Sequence, residues 1–157
     1  TSTALRKARI QAMLESAQPD KARQELEAGR DAGQLDSNWV QQKAREVQDS
    51  TRTLKARRDQ MERKAATTNN PTDQLVAAKA NLGLGETSGA LKYATQVLRN
   101  NPRNTEAVQI AVDAQIQQGD TAKAIKIINQ ATRSGASLKS VQLPVIQKAP
   151  LPDGRKQ

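Results

Sequence analysis

Alanine recurs at an interval of 34 residues, at Ala22, Ala56, Ala90 and Ala124, and three of the four follow a lysine (Lys21, Lys55, Lys123). Helix-start signals return in the same register, at Thr3, Ser37, Pro71-Thr72 and Asn104-Thr105. Self-similarity at a period of this size marks an array of stacked supersecondary units, each too small to bury its apolar face alone. Two markers sharing one period restrict the chain to that architecture more tightly than any local motif does.

The residues available for a core agree. Aromatic side chains are Trp39 and Tyr93 alone, and phenylalanine is absent. Ala, Leu, Val, Ile and Met must therefore do the packing. Small side chains let helices approach closely, whereas a thick β-sandwich core lacks its material. With no cysteine, disulfides, thiolate metal sites and cysteine nucleophiles are excluded. Histidine is also missing, which removes the commonest general base and metal ligand. No apolar run reaches the length of a membrane span. Thr1 is not a natural start, which implies a processed or trimmed piece.

The clearest stretch is 71–138. Thr72 to Leu84 reads as a helix with Leu75, Ala78 and Leu82 on one face, followed by a turn around Gly83, Gly85 and Gly89. Ala90 to Arg99 is a second helix, ended at Asn100-Asn101-Pro102. Thr105 to Gln117 repeats the pattern, Gly119-Asp120 turns the chain, and a last helix carries Ala124, Ile125, Ile128 and Ala131. Gly135 reads as its C-cap.

The segments NLGLGETSGALKYATQVLRNNPRN and AQIQQGDTAKAIKIINQATRSG resemble tetratricopeptide repeats. The small residue expected at the eighth position is Ala78 and Val112, and the alanine at the twentieth is Ala90 and Ala124. Pro102 stands at the thirty-second, where the next unit has Ala136; Gln74, Asn81 and Ala94 replace family aromatics. The repeats are thus degenerate, clearest over 71–138. The same register places Ile10 and Ala44 at the eighth position upstream. The resemblance implies an all-α, right-handed α-solenoid of about four helix-turn-helix units with a C-terminal capping helix. Residues 1–149 would form this domain, as units of about 3–36, 37–70, 71–104 and 105–138, a cap over 139–149, and a flexible tail at 150–157.

Within that frame the second unit is ambiguous. Trp39 to Ala66 contains no glycine or proline, and Val40, Val47, Leu54 and Met61 lie seven apart, which fits one uninterrupted helix as well as a hairpin. The alanine register and the cap-like Asp49-Ser50-Thr51 favour the hairpin. Beyond the fourth unit, Ser137 is expected to start the capping helix, bent by Pro144.

Candidate sites follow from the same resemblance. Family members bind extended peptides or helices along a groove lined by each unit's first helix. Carried over, those positions are Lys7, Gln11, Gln41, Gln42, Arg45, Leu75, Val76, Lys79, Gln109, Ile110 and Asp113. Net charge is +9, with +4 over 37–70 and +3 over 139–157. Arg52, Lys55, Arg57, Arg58, Arg63 and Lys64 form a basic patch, which suits an acidic protein partner or, as the alternative, nucleic acid or an anionic membrane surface. Trp39 alone makes no platform for stacking bases. Lone carboxylates such as Glu46, Asp49 and Asp113 are not spaced for acid–base work, and 83–89 lacks the strand and Gly-Lys-Ser/Thr ending of a phosphate loop. No enzyme activity, cofactor or metal is expected. The expectation is a protein–protein scaffold, by analogy part of a bacterial envelope assembly, secretion or polysaccharide-export machine, with a periplasmic location favoured over a cytoplasmic one.

Overall fold

The computed structural model describes residues 2–142. Seven helices account for most of them: α1 (Ser2–Glu15), α2 (Pro19–Asp31), α3 (Ser37–Thr68), α4 (Pro71–Gly83), α5 (Thr87–Asn100), α6 (Thr105–Gln117) and α7 (Thr121–Arg133). No strand occurs among the described residues. The all-α helical-repeat architecture expected from the period is present.

The punctuation read from the sequence is where the helices start and stop. Asp36, Asn70, Asn104 and Asp120 each accept a backbone N–H of the first turn through the side chain, capping α3, α4, α6 and α7. Such a cap contributes about 1 kcal/mol over alanine. Pro71 occupies the first position of α4, where its missing N–H costs nothing. Gly119 and Gly135 turn the chain after α6 and α7 with φ of 78° and 87°, a backbone region that favours glycine.

Three hairpins, α1–α2, α4–α5 and α6–α7, close over small residues. Ala22, Ala90 and Ala124 are all 0% exposed. Their cross-hairpin neighbours in the three core clusters include Ile10, Ala78 and Val112, respectively.

The second unit departs from the expected hairpin. Residues 37–68 form one helix of 32 residues, about 48 Å long at the usual rise. Asp49-Ser50-Thr51 has the residue types of a cap but nothing that forbids a helix. The Thr51 hydroxyl donates back to the Val47 carbonyl at 2.8 Å, a bond that belongs to a continuing helix. The sevenfold apolar stripe is consumed along the length of α3. Val40 and Val47 pack with α1 and α2, and Met61 with the cluster of α4 and α5. Tertiary contact on one stripe outweighs the local cap signal. In consequence Ala56, the fourth member of the ladder, lies exposed on the straight helix, and the register predicts burial at only three of its four positions.

Both ends of α3 are held. Beyond the Asp36 cap, Asp73 at the start of α4 takes a hydrogen bond from Thr68 (2.8 Å) and an ion pair from Lys64 (3.2 Å). Because α2 starts, and α4 ends, beside the middle of α3, the α1–α2 and α4–α5 tips meet beside Leu54. The approach is close enough that a Cβ at Gly83 would collide with the Ala17 carbonyl oxygen and the Leu54 side chain. Ala17 itself turns the first tip with φ of 56°.

The capping helix does not begin at Ser137. Residues 136–142 are non-helical, with a turn closed by the Val141 amide donating to the Leu138 carbonyl. The remainder of the expected cap, Pro144 included, and the 150–157 tail lie outside the described residues.

Candidate functional site: a cleft at the hairpin junction

Where the two tips meet, α3, α4 and α6 enclose a cleft of about 500 Å³. Its apolar wall is Leu54 of α3, Val76 and Ala80 of α4, and Ile110 of α6. Lys21 of α2, Arg57 of α3 and Lys79 of α4 stand around it. On the α6 side lies Asp113, which accepts a hydrogen bond from Gln109 Nε2 at 2.9 Å. Burial raises the Asp113 carboxyl above its ordinary value; the Gln109 bond and the Lys21 charge oppose that rise.

Gln109 is the most informative residue of the cleft. The same amide reaches the main chain of Gln142: Nε2 donates to its carbonyl at 2.9 Å and Oε1 accepts its N–H at 2.6 Å. Val141, just before, is 8% exposed. A glutamine on the α6 face thus holds both main-chain polar groups of one residue, the N–H and the C=O of Gln142. Nearby, the Gln117 Nε2 is buried without an acceptor among the described residues.

Of the groove positions inferred from the resemblance, Val76, Lys79, Gln109, Ile110 and Asp113 converge here. Leu75 instead packs, partly buried, against the α4–α5 core cluster. Lys79 also pairs with Glu106. The N-terminal positions do not join the cleft. The Lys7 ammonium lies 4.9 Å from the Trp39 ring centroid and 3.9 Å from Asp36, and Gln11 accepts from Lys43 at 2.7 Å. Those two side chains fasten α1 to α3. Gln41, Gln42 and Arg45 are exposed on the first half of α3, apart from the rest.

The basic patch is divided in the same way. Arg52 pairs with Asp49 (3.5 Å), Arg58 with Asp59 (2.9 Å) and Lys64 with Asp73 (3.2 Å). Lys55, Arg57 and Arg63 make no ion pair among the described residues, and of the six only Arg57 faces the cleft. Sequence reasoning missed the contribution of the first tip, Ser16 to Gln18 with Lys21. The available signal was the pairing of two turns, Ala17–Pro19 and Gly83–Gly85. Nothing in the sequence says that they touch.

Stacked helix pairs around an apolar cleft with a basic rim define a helical-repeat scaffold. A tetratricopeptide repeat family model matches residues 81–140, in agreement with the resemblance carried by 71–138. No curated protein and no solved structure matches the chain. Repeats of this family generally mediate protein–protein interaction and are typically non-catalytic scaffolds.

Proposed function

We propose that the protein is a non-catalytic adaptor that holds an extended, acidic segment of a partner protein in the junction cleft. The observation that carries this reading is the two-bond grip of Gln109 on the Gln142 backbone. It is a worked example, within the chain, of how this surface holds a main chain. Leu54, Val76 and Ile110 offer seats for aliphatic side chains, and with Lys79 paired to Glu106 the cations Lys21 and Arg57 still outnumber Asp113, which supports an acidic ligand. Family analogy supports a place in a bacterial envelope assembly, secretion or export machine. Fractionating the source cell and blotting for the protein tests that placement, and a purely cytosolic signal refutes it.

The binding test uses fluorescence polarisation with labelled acidic and basic extended peptides. The bound segment takes the place of Gln142 on Gln109, and two hydrogen bonds at about 1 kcal/mol each make Gln109→Leu weaken the acidic peptides by roughly tenfold or more. Val76→Asp should do the same by charging the apolar wall. Acidic peptides that ignore both changes, or that lose affinity only when Arg57 and Arg58 become Glu, refute the cleft as the site. The second outcome would return the basic patch to the nucleic-acid or membrane-surface reading.

A further inference from the structure

The straight course of α3 leaves a seat unfilled. At the eighth position of the 34-residue register stand Ile10, Ala44, Ala78 and Val112. Ile10, Ala78 and Val112 are each 0% exposed, and each shares a core cluster with the alanine on the returning arm of its own hairpin. Ala44 alone is exposed. Its returning arm is the second half of α3, which continues away instead of folding back. The first half keeps the small residue that helix-on-helix packing uses, without the helix.

What remains beside Ala44 is a furrow of about 560 Å³ between α2 and α3. Leu26, Val40, Ala44 and Val47 contribute its apolar surface. Four cations, Arg23, Arg30, Arg52 and Lys55, edge it against the single carboxylate of Glu27. Arg23 is spent on Asp20 and Glu27, at 3.0 Å each. Arg30 and Arg52 each meet one carboxylate, Asp31 and Asp49, and keep further N–H donors; Lys55 has no ion-pair partner among the described residues. An acidic helix would complete both the packing and the charge.

We infer that the α2–α3 furrow is a second docking site, distinct from the junction cleft, for an amphipathic helix of a partner protein. That helix sets a small residue over Ala44 and carries acidic residues along its flanks toward Arg30, Arg52 and Lys55. It stands in for the missing arm, so its length matches the arms present, 13 or 14 residues. This inference needs neither Gln109 nor the bound backbone of Gln142.

The test uses two labelled, end-capped 14-residue peptides with the same Ala/Leu stripe at helical spacing, one flanked by Glu and one by Lys. Fluorescence polarisation on the full chain at low salt should show the Glu peptide binding about tenfold tighter or more, a preference that fades as salt screens the flanks. Ala44→Trp fills the seat from an exposed position, so circular dichroism should be unchanged while affinity falls about tenfold. The Arg52→Glu, Lys55→Glu pair should reverse the preference toward the Lys peptide. Gln109→Leu should leave both affinities alone, so failure of the cleft reading is separable from failure of this one. Equal binding of the two peptides, no binding of the Glu peptide, or indifference to Ala44→Trp overturns the proposal. So does a dimer by sedimentation that Ala44→Trp dissociates, which would mean a second copy fills the furrow. Single-stranded oligonucleotide binding abolished by the charge pair but untouched by Ala44→Trp would assign the furrow to phosphates instead.

Discussion

Replacing Thr51 with proline separates one long helix from a hairpin by sign as well as size. In the structure Thr51 sits near the midpoint of α3, fourteen residues past the Ser37 start of a 32-residue helix. Proline there removes a backbone donor from the ladder, pushes its ring against the Val47 carbonyl and takes Ser50 out of its preferred helical backbone. The hydroxyl bond to Val47 goes as well. An interior proline costs about 3 kcal/mol or more. For a chain of this size each kcal/mol moves the midpoint by about 2–4 °C, so Tm should drop by roughly 6–12 °C in a melt followed by circular dichroism at about 222 nm. Thr51→Ala is the companion: it loses one side-chain bond and gains helix propensity, and should stay within about 1 kcal/mol of the parent. Were 37–68 a hairpin capped at Ser50, position 51 would be the first of the second arm, where proline is well tolerated. A Thr51→Pro melt within about 2 °C of the parent would therefore refute the continuous helix and the unfilled seat with it.

Two further outcomes follow from the core and from the cleft. Ala90→Leu or Ala124→Leu should overpack a hairpin junction at a cost of about 1–3 kcal/mol, while Ala56→Leu, made on an exposed face, should fall within about 0.5 kcal/mol; equilibrium urea unfolding of all three checks the contrast. Asp113 carries a raised folded pKa, so between the ordinary 3.8 and that higher value the native state binds more protons than the unfolded one, and stability falls as pH rises through this window. Asp113→Asn keeps an acceptor for Gln109 without the charge: it should melt above the parent at neutral pH, with the gap closing below about pH 3.8, as melts across pH will show.

The hairpins over 71–133 were legible because glycine, asparagine and proline write their ends directly into the chain. Pro71, Gly119-Asp120 and Gly135 act as read, with Asn70 adding a cap that was not. The long α3 was not legible, since Asp49-Ser50-Thr51 offers a cap and only contacts from α1, α2 and α4 decide against it. Ala56 was misread for the same reason. Five groove residues meet because consecutive first helices, α4 and α6, stack side by side. Lys7 and Gln11 do not, because Trp39 and Lys43 of α3 claim them. That the tip at Ala17 abuts Gly83 is a long-range matter, which no local pattern encodes.

The two aromatic side chains fall on opposite sides of that junction. Trp39 packs with Ile10, Ala22 and Val47, while Tyr93 belongs to the cluster of α4, α5 and α6. The chain therefore carries a separate optical reporter in each half. Indole emission follows the α1–α2 end, phenol absorbance follows the repeats beyond, and loss of order in one half can be watched while the other stays intact.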